Sequence, residues 1–132
     1  MRVAEAVARG AEWVALPENF AYLRTEGTKP TYSERLDGDL VSWLADLARE
    51  TACHVLAGSI PERIPRSKRV YNTSVLIGPG GKLLASYRKM HLFDVRIRGG
   101  VELEESRNVR AGDQPVVART ALGNLGLSIC YD

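Results

Sequence analysis

Two stretches of the chain place apolar residues at the three-to-four-residue spacing of an α-helix. The first covers residues 1–9. The second covers residues 40–52, and either Asp37 or Asp39 offers it an N-cap. One face of this second helix is predicted to be buried, and it carries Leu40, Trp43, Leu44 and Leu47.

Short apolar runs bounded by turn residues predict the strands. A glycine-rich turn at residues 78–81 joins two of them in a hairpin. The polar stretches 17–32, 61–69 and Val95–Asp113 are interpreted as loops, and loops as long as the last are usually functional. The order of elements indicates an α/β fold, with a mixed sheet and helices on at least one face. The predicted strands are Glu12–Leu16, His54–Ile60, Val70–Ile77, Lys82–Lys89, about Pro115–Thr120 and Asn124–Tyr131.

The composition is that of one soluble globular domain. The chain has 132 residues, of which 45% are hydrophobic and 26% charged. We find no apolar run near the roughly 20 residues of a membrane helix, and no secretion leader. Two cysteines, Cys53 and Cys130, are too few for a disulfide framework. We therefore expect a cytoplasmic protein with reduced thiols that does not bind membranes.

Positive charge is concentrated in one segment. Between Glu62 and Arg98 there are nine Lys or Arg against two acids, so this segment carries +7 and the remainder −5 of the net +2. Such a segment can bind nucleic acid, but the chain lacks an RNP-like aromatic pattern, a zinc-finger spacing and a helix-turn-helix. We therefore favour a solvated face, or a site that attracts anionic substrates.

Three residues could carry chemistry, although each also has an ordinary interpretation. Cys130 lies in an apolar run, where most cysteines act as small hydrophobes. Lys89 at a strand end is usually a solvated charge, and Glu18 in a loop is usually a solvated acid. His91, together with Cys53, His54 and Cys130, matches no zinc spacing, so we predict no metal site.

Taken together, the motifs around these residues resemble the nitrilase superfamily of carbon-nitrogen hydrolases. Pro17-Glu18 follows a strand, YRKMHLFD contains Lys89, and GLSICYD contains Cys130, in the order of that family's catalytic glutamate, lysine and cysteine. The stretch VYNTSVL at 70–76 and the glycine-rich hairpin match as well. Glu105 stands where relatives of the ω-amidase type carry a second active-site glutamate. The similarity covers essentially the whole chain.

The resemblance implies a mechanism without metal or organic cofactor. Cys130 would attack the substrate carbon, Glu18 would act as general base, and Lys89 would stabilise the oxyanion. A thioester would form and ammonia would leave. Glu105 would bind the substrate amide or help to position it.

The HLFDV stretch and Glu105-Ser106-Arg107 most resemble the branch that hydrolyses small linear carboxamides. Arg96-Ile97-Arg98-Gly99 departs from that branch, which usually has an acidic residue and then a proline there. Nitriles and N-carbamoyl compounds therefore remain alternative substrates. A non-catalytic remnant or interaction module of the same fold is an alternative of another class.

The resemblance also implies a fold and an assembly. The family domain is a four-layer α-β-β-α sandwich that begins with a strand and continues well beyond the cysteine, and the full-length form is expected to be a homo-oligomer. Here Met1 opens on a helix and the sequence stops two residues after Cys130. We therefore expect residues 1–132 to be a single incomplete domain, a partial sandwich that is dynamic or oligomeric alone and inactive on simple amides.

Overall fold

A computed structural model describes residues 2–23, 29–100 and 102–132 of the chain. Residues 1, 24–28 and 101, which belong to the predicted first helix and two of the predicted loops, lie outside this description. The helices are α1 (Arg2–Ala8) and α2 (Asp39–Thr51), with a 3-10 turn at Glu105–Arg107. The strands are β1 (Trp13–Ala15), β2 (His54–Arg63), β3 (Val70–Ile77), β4 (Leu83–Arg88), β5 (Asp94–Arg96), β6 (Glu102–Glu104), β7 (Val117–Thr120) and β8 (Gly123–Gly126).

The main sheet has four strands in the order β1-β2-β3-β4. The β1–β2 pair is parallel and the other two pairs are antiparallel, so the predicted mixed sheet is confirmed. Two ribbons, β5–β6 and β7–β8, each pair antiparallel.

Alternating residues give the main sheet two apolar faces. Val55 and Ala57 of β2 face α2, whereas Leu56 between them packs on the opposite side. That opposite side is covered by Leu127 and Ile129, which follow the β7–β8 ribbon. The result is an α-β-β arrangement with one core on each face of the sheet, in agreement with the predicted partial sandwich.

The start of α2 corrects two details of the prediction. Its N-cap is Gly38 rather than an aspartate, because Asp37 pairs with Arg35 at 2.7 Å and Asp39 is already helical. Trp43 is 45% exposed, since the buried stripe lies beside it on the helix. That stripe consists of Val41, Leu44, Ala45, Leu47 and Ala48.

Two predicted loops contain strand residues. β2 runs through Pro61 to Arg63. The strand tolerates this proline because the missing N–H would point toward Glu34 and not toward β3. On that same side, the Pro61 carbonyl oxygen accepts a hydrogen bond from the Glu34 backbone N–H over 2.8 Å. The stretch predicted as a loop from Val95 to Asp113 contains most of β5, all of β6 and the 3-10 turn. These strands have three residues each and are largely charged, so they lack the apolar alternation that reveals a strand.

Candidate active site

The polar residues of the site lie at one edge of the main sheet, the edge where β2 and β4 end and β3 begins. Glu18 follows β1, Asn72 is near the start of β3, and Lys89 follows β4. Because β3 runs antiparallel to its neighbours, the start of β3 lies beside the ends of β2 and β4. Glu105 and Cys130 reach this edge from the 3-10 turn and from the segment after β8.

Lys89 lies at the centre of the site and is 2% exposed. Its Nζ lies 2.9 Å from Glu105 Oε2 and 3.7 Å from Glu18 Oε1. Burial alone would lower the pKa of Lys89, but the hydrogen bond and charge of Glu105 outweigh it, aided by Glu18 and Cys130, and the net pKa is raised. Lys89 is therefore a buried cation at neutral pH.

Glu105 is engaged on both oxygens. Besides Lys89, its Oε2 accepts from the Phe93 backbone N–H over 2.7 Å, and its Oε1 lies 3.5 Å from Asn72 Nδ2. The side chain is only 15% exposed. Both roles predicted for Glu105, substrate binding and positioning, remain predictions.

Asn72 also belongs to the site, although it was not among the predicted site residues. Its Nδ2 donates to Glu18 Oε1 over 2.7 Å. The Lys89 backbone N–H donates to the Asn72 carbonyl over 2.9 Å, which continues the β3–β4 register and places the two residues opposite each other. The buried Oδ1 of Asn72 accepts no hydrogen bond from any residue that the structure describes. The stretch VYNTSVL, which matches the nitrilase superfamily, is the one sequence feature that could have pointed to Asn72.

Cys130 does not end a strand, which corrects the prediction. β8 ends at Gly126, and Cys130 lies in a turn with a φ of 50°, the left-handed region that side chains with a Cβ rarely adopt. The residue is exposed.

The environment of the Cys130 thiol favours its protonated form. Partial desolvation raises its pKa, and the charge of Glu18 and a hydrogen bond with Glu18 raise it further, whereas Lys89 acts in the opposite direction. A protonated thiol next to a carboxylate is the resting arrangement that general-base activation requires.

Close packing fixes the backbone that carries Glu18. A Cβ on Gly58 of β2 would lie 2.1 Å from the Leu16 carbonyl oxygen and 2.2 Å from that of Pro17. The Asn19 backbone N–H also donates to Ser59 Oγ over 3.0 Å. Only glycine permits this approach, so the position of Glu18 depends on Gly58.

The residues that a zinc site would require make other contacts. Cys53 is buried and its Sγ lies 3.6 Å from the Ala11 carbonyl oxygen, while the His54 ring stacks on Trp13 at 5.5 Å. Across the described ranges, no group of three or more His, Cys, Asp or Glu residues could hold a metal ion. Within those same ranges, no helix is long and apolar enough to cross a bilayer.

Known proteins resemble this chain over nearly its whole length. The omega-amidase NIT2 of Bos taurus is 39% identical over 132 residues, which cover 98% of this chain and 46% of that protein. The deaminated glutathione amidase of Synechocystis is 42% identical over 130 residues, covering 96% and 48%. The crystal structure of the C. elegans NitFhit protein superimposes with a TM-score of 0.80 at 29% identity, covering 98% of this chain and 32% of that one.

The chain thus spans about half the length of the curated relatives that it matches. The sequence profile of the carbon-nitrogen hydrolase family matches residues 2–132, which include every residue of the site. The chain belongs to the carbon-nitrogen hydrolase family.

Proposed function

We propose that the protein hydrolyses small linear carboxamides, with Cys130 as nucleophile, Glu18 as general base and Lys89 as oxyanion donor. The observation that carries this proposal is the position of Glu18. Its carboxylate lies 3.7 Å from the Lys89 ammonium and close enough to the Cys130 thiol to raise the pKa of that thiol. Groups able to act as base, nucleophile and oxyanion donor therefore lie close together, which supports the proposal.

In the first half-reaction, Glu18 takes the thiol proton as the Cys130 sulfur attacks the amide carbon. Lys89 donates a hydrogen bond to the oxygen that becomes negative. The carbon–nitrogen bond then breaks, and the nitrogen receives the proton from Glu18. Ammonia leaves, and the acyl group remains on sulfur as a thioester.

In the second half-reaction, Glu18 takes a proton from a water molecule, which attacks the thioester carbon. The carbon–sulfur bond breaks, sulfur regains a proton, and the carboxylic acid leaves. Amides are the substrate class we propose because two relatives are named as an omega-amidase and a deaminated glutathione amidase.

Ammonia release by the intact protein tests this proposal. The substrates are the half-amide succinamate, a matched nitrile and an N-carbamoyl amino acid. Cys130→Ala should abolish release, whereas Cys53→Ala, the matched control away from the site, should retain it. Acid quenching should reveal an acyl adduct on Cys130 by mass spectrometry. Activity that survives in Cys130→Ala would remove the nucleophile assignment, and a preference for the nitrile or the N-carbamoyl compound would change the substrate class.

A further inference from the structure

The carboxylate of Asp132 is 5% exposed and accepts hydrogen bonds on both oxygens. Its Oδ1 accepts from the backbone N–H groups of Met90 over 3.1 Å and His91 over 2.8 Å, and it lies 3.1 Å from His91 Nδ1. Its Oδ2 accepts from the Tyr87 hydroxyl over 2.7 Å and from the Ile129 backbone N–H over 2.9 Å. The buried Asp132 carboxylate is therefore in contact with two side chains and three backbone N–H groups.

These donors belong to two separate parts of the site. Met90 and His91 directly follow Lys89, so Oδ1 fixes the backbone that carries the ammonium. Ile129 directly precedes Cys130, so Oδ2 fixes the turn that carries the thiol. The two parts are about 40 residues apart in sequence, and His91 and Asp132 are separated by 41 residues.

A charged acceptor suits this task. Hydrogen bonds to a carboxylate are roughly twice as strong as those between neutral groups. The left-handed backbone of Cys130 is also costly, and it persists only where its surroundings hold it in place. The hydrogen bond between Ile129 and Asp132 lies within the turn that contains this conformation.

We propose that Asp132 is a positioning residue that sets the placement of the Cys130 thiol relative to the Lys89 ammonium. The inference rests on the proposed function, in which these two groups act on the same carbonyl. Asp132 contacts neither of their reacting atoms, and it acts through the backbone on either side of them.

Two substitutions separate geometry from charge. Asp132→Asn keeps the shape but turns an NH₂ group toward one of the two sets of donors, whichever way the amide is oriented. Asp132→Glu keeps the charge but moves the carboxylate outward by one methylene. Asp46→Asn, on the exposed face of α2, is the matched control.

In the intact protein, kcat should fall on the order of 10²-fold in Asp132→Asn, the scale of a misplacement of about 1 Å, with KM little changed. In Asp132→Glu, kcat should fall on the order of tenfold. The pH profile for alkylation of its Cys130 by iodoacetamide should move to higher pH, because a more distant Lys89 lowers the pKa of the thiol less. Asp46→Asn should match the wild type. Full activity in Asp132→Glu, or a loss of kcat that follows only the unfolded fraction with an unchanged alkylation profile, would overturn the proposal.

Tyr87→Phe decides the question if neither Asp132 variant folds. It keeps the ring in the core and removes only the hydroxyl that donates to Oδ2. A several-fold lower kcat at constant KM is expected, and an unchanged kcat would refute the positioning role. Failure of the proposed function gives a different result, because the wild type would then release no ammonia or Cys130→Ala would remain active.

Discussion

Lys89 Nζ lies 2.9 Å from Glu105 Oε2 but 3.7 Å from Glu18 Oε1. The buried cation is thus neutralised chiefly by the carboxylate that the Phe93 backbone also holds. Glu18 accepts a hydrogen bond from Asn72 and raises the pKa of the Cys130 thiol, so we expect it to remain available to accept a proton. We therefore expect the two glutamates to have separate tasks.

Glu105→Gln should lower kcat strongly while the protein stays folded. Without its main anionic partner, the Lys89 ammonium should pair with Glu18 and compete with the Cys130 proton for that carboxylate. Steady-state kinetics measure the effect. Glu104→Gln, the partly exposed neighbour that pairs with Arg107, is the control, and equal kinetics for the two variants would argue against the separate tasks.

Lys89→Arg should lose about 10²–10³ in kcat, the usual cost of removing one oxyanion donor. A planar guanidinium cannot occupy the compact position of an ammonium that is 2% exposed. Lys82→Arg, in the hairpin turn, should behave as the wild type. A rise in KM alone would instead make Lys89 a binding residue.

Glu18→Gln should separate thiol ionisation from turnover. Because the Glu18 charge raises the pKa of the Cys130 thiol, its removal should move the iodoacetamide alkylation profile to lower pH. Turnover should nevertheless fall, since glutamine cannot accept the proton. Glu12→Gln, at the other end of β1, is the control. An unmoved alkylation profile together with normal turnover would return Glu18 to the role of a loop acid.

Acid should destabilise the protein partly through Asp132. Burial alone would raise the pKa of Asp132, but its donors, led by the His91 backbone N–H, lower it below its usual value. A lowered folded-state pKa gives stability that is present above about pH 4 and lost as the pH falls through the folded pKa. Urea midpoints across this range should therefore fall less steeply in Asp132→Asn than in Asp46→Asn. Parallel slopes would contradict this assignment.

The sequence predicts the main sheet well because its signals are local. β3 is rich in β-branched residues, and the glycine-rich turn after it indicates its pairing with β4. The β5–β6 ribbon is hidden because its pairing depends on contacts such as the Arg96–Glu102 ion pair. The end of β8 was placed too late because Leu127 and Ile129 look like strand residues, although they pack as core residues of the turn segment.

The candidate site was predicted in part, and the residue that was missed shows why. Glu18, Lys89, Glu105 and Cys130 stand in recognisable motifs, and the structure brings them together. Asn72 stands in a strand where a polar residue is unremarkable. Its role depends on lying opposite Lys89 in the β3–β4 pairing, a relationship between two strands that neither segment contains alone.

Because the β3–β4 pairing sets Asn72 opposite Lys89, the site is intact only when these strands pair in the correct register. A slip of one residue turns every side chain of a strand to the other face, so Asn72 would leave the carboxylates it joins. The apolar second half of β3, Val75 to Ile77, tolerates such a slip better than the site does, because it is buried on both faces. A refolded sample could thus regain its native circular dichroism spectrum while some of its molecules stay inactive. Counting active thiols per molecule would reveal that misfolded fraction, which spectroscopy of the backbone overlooks.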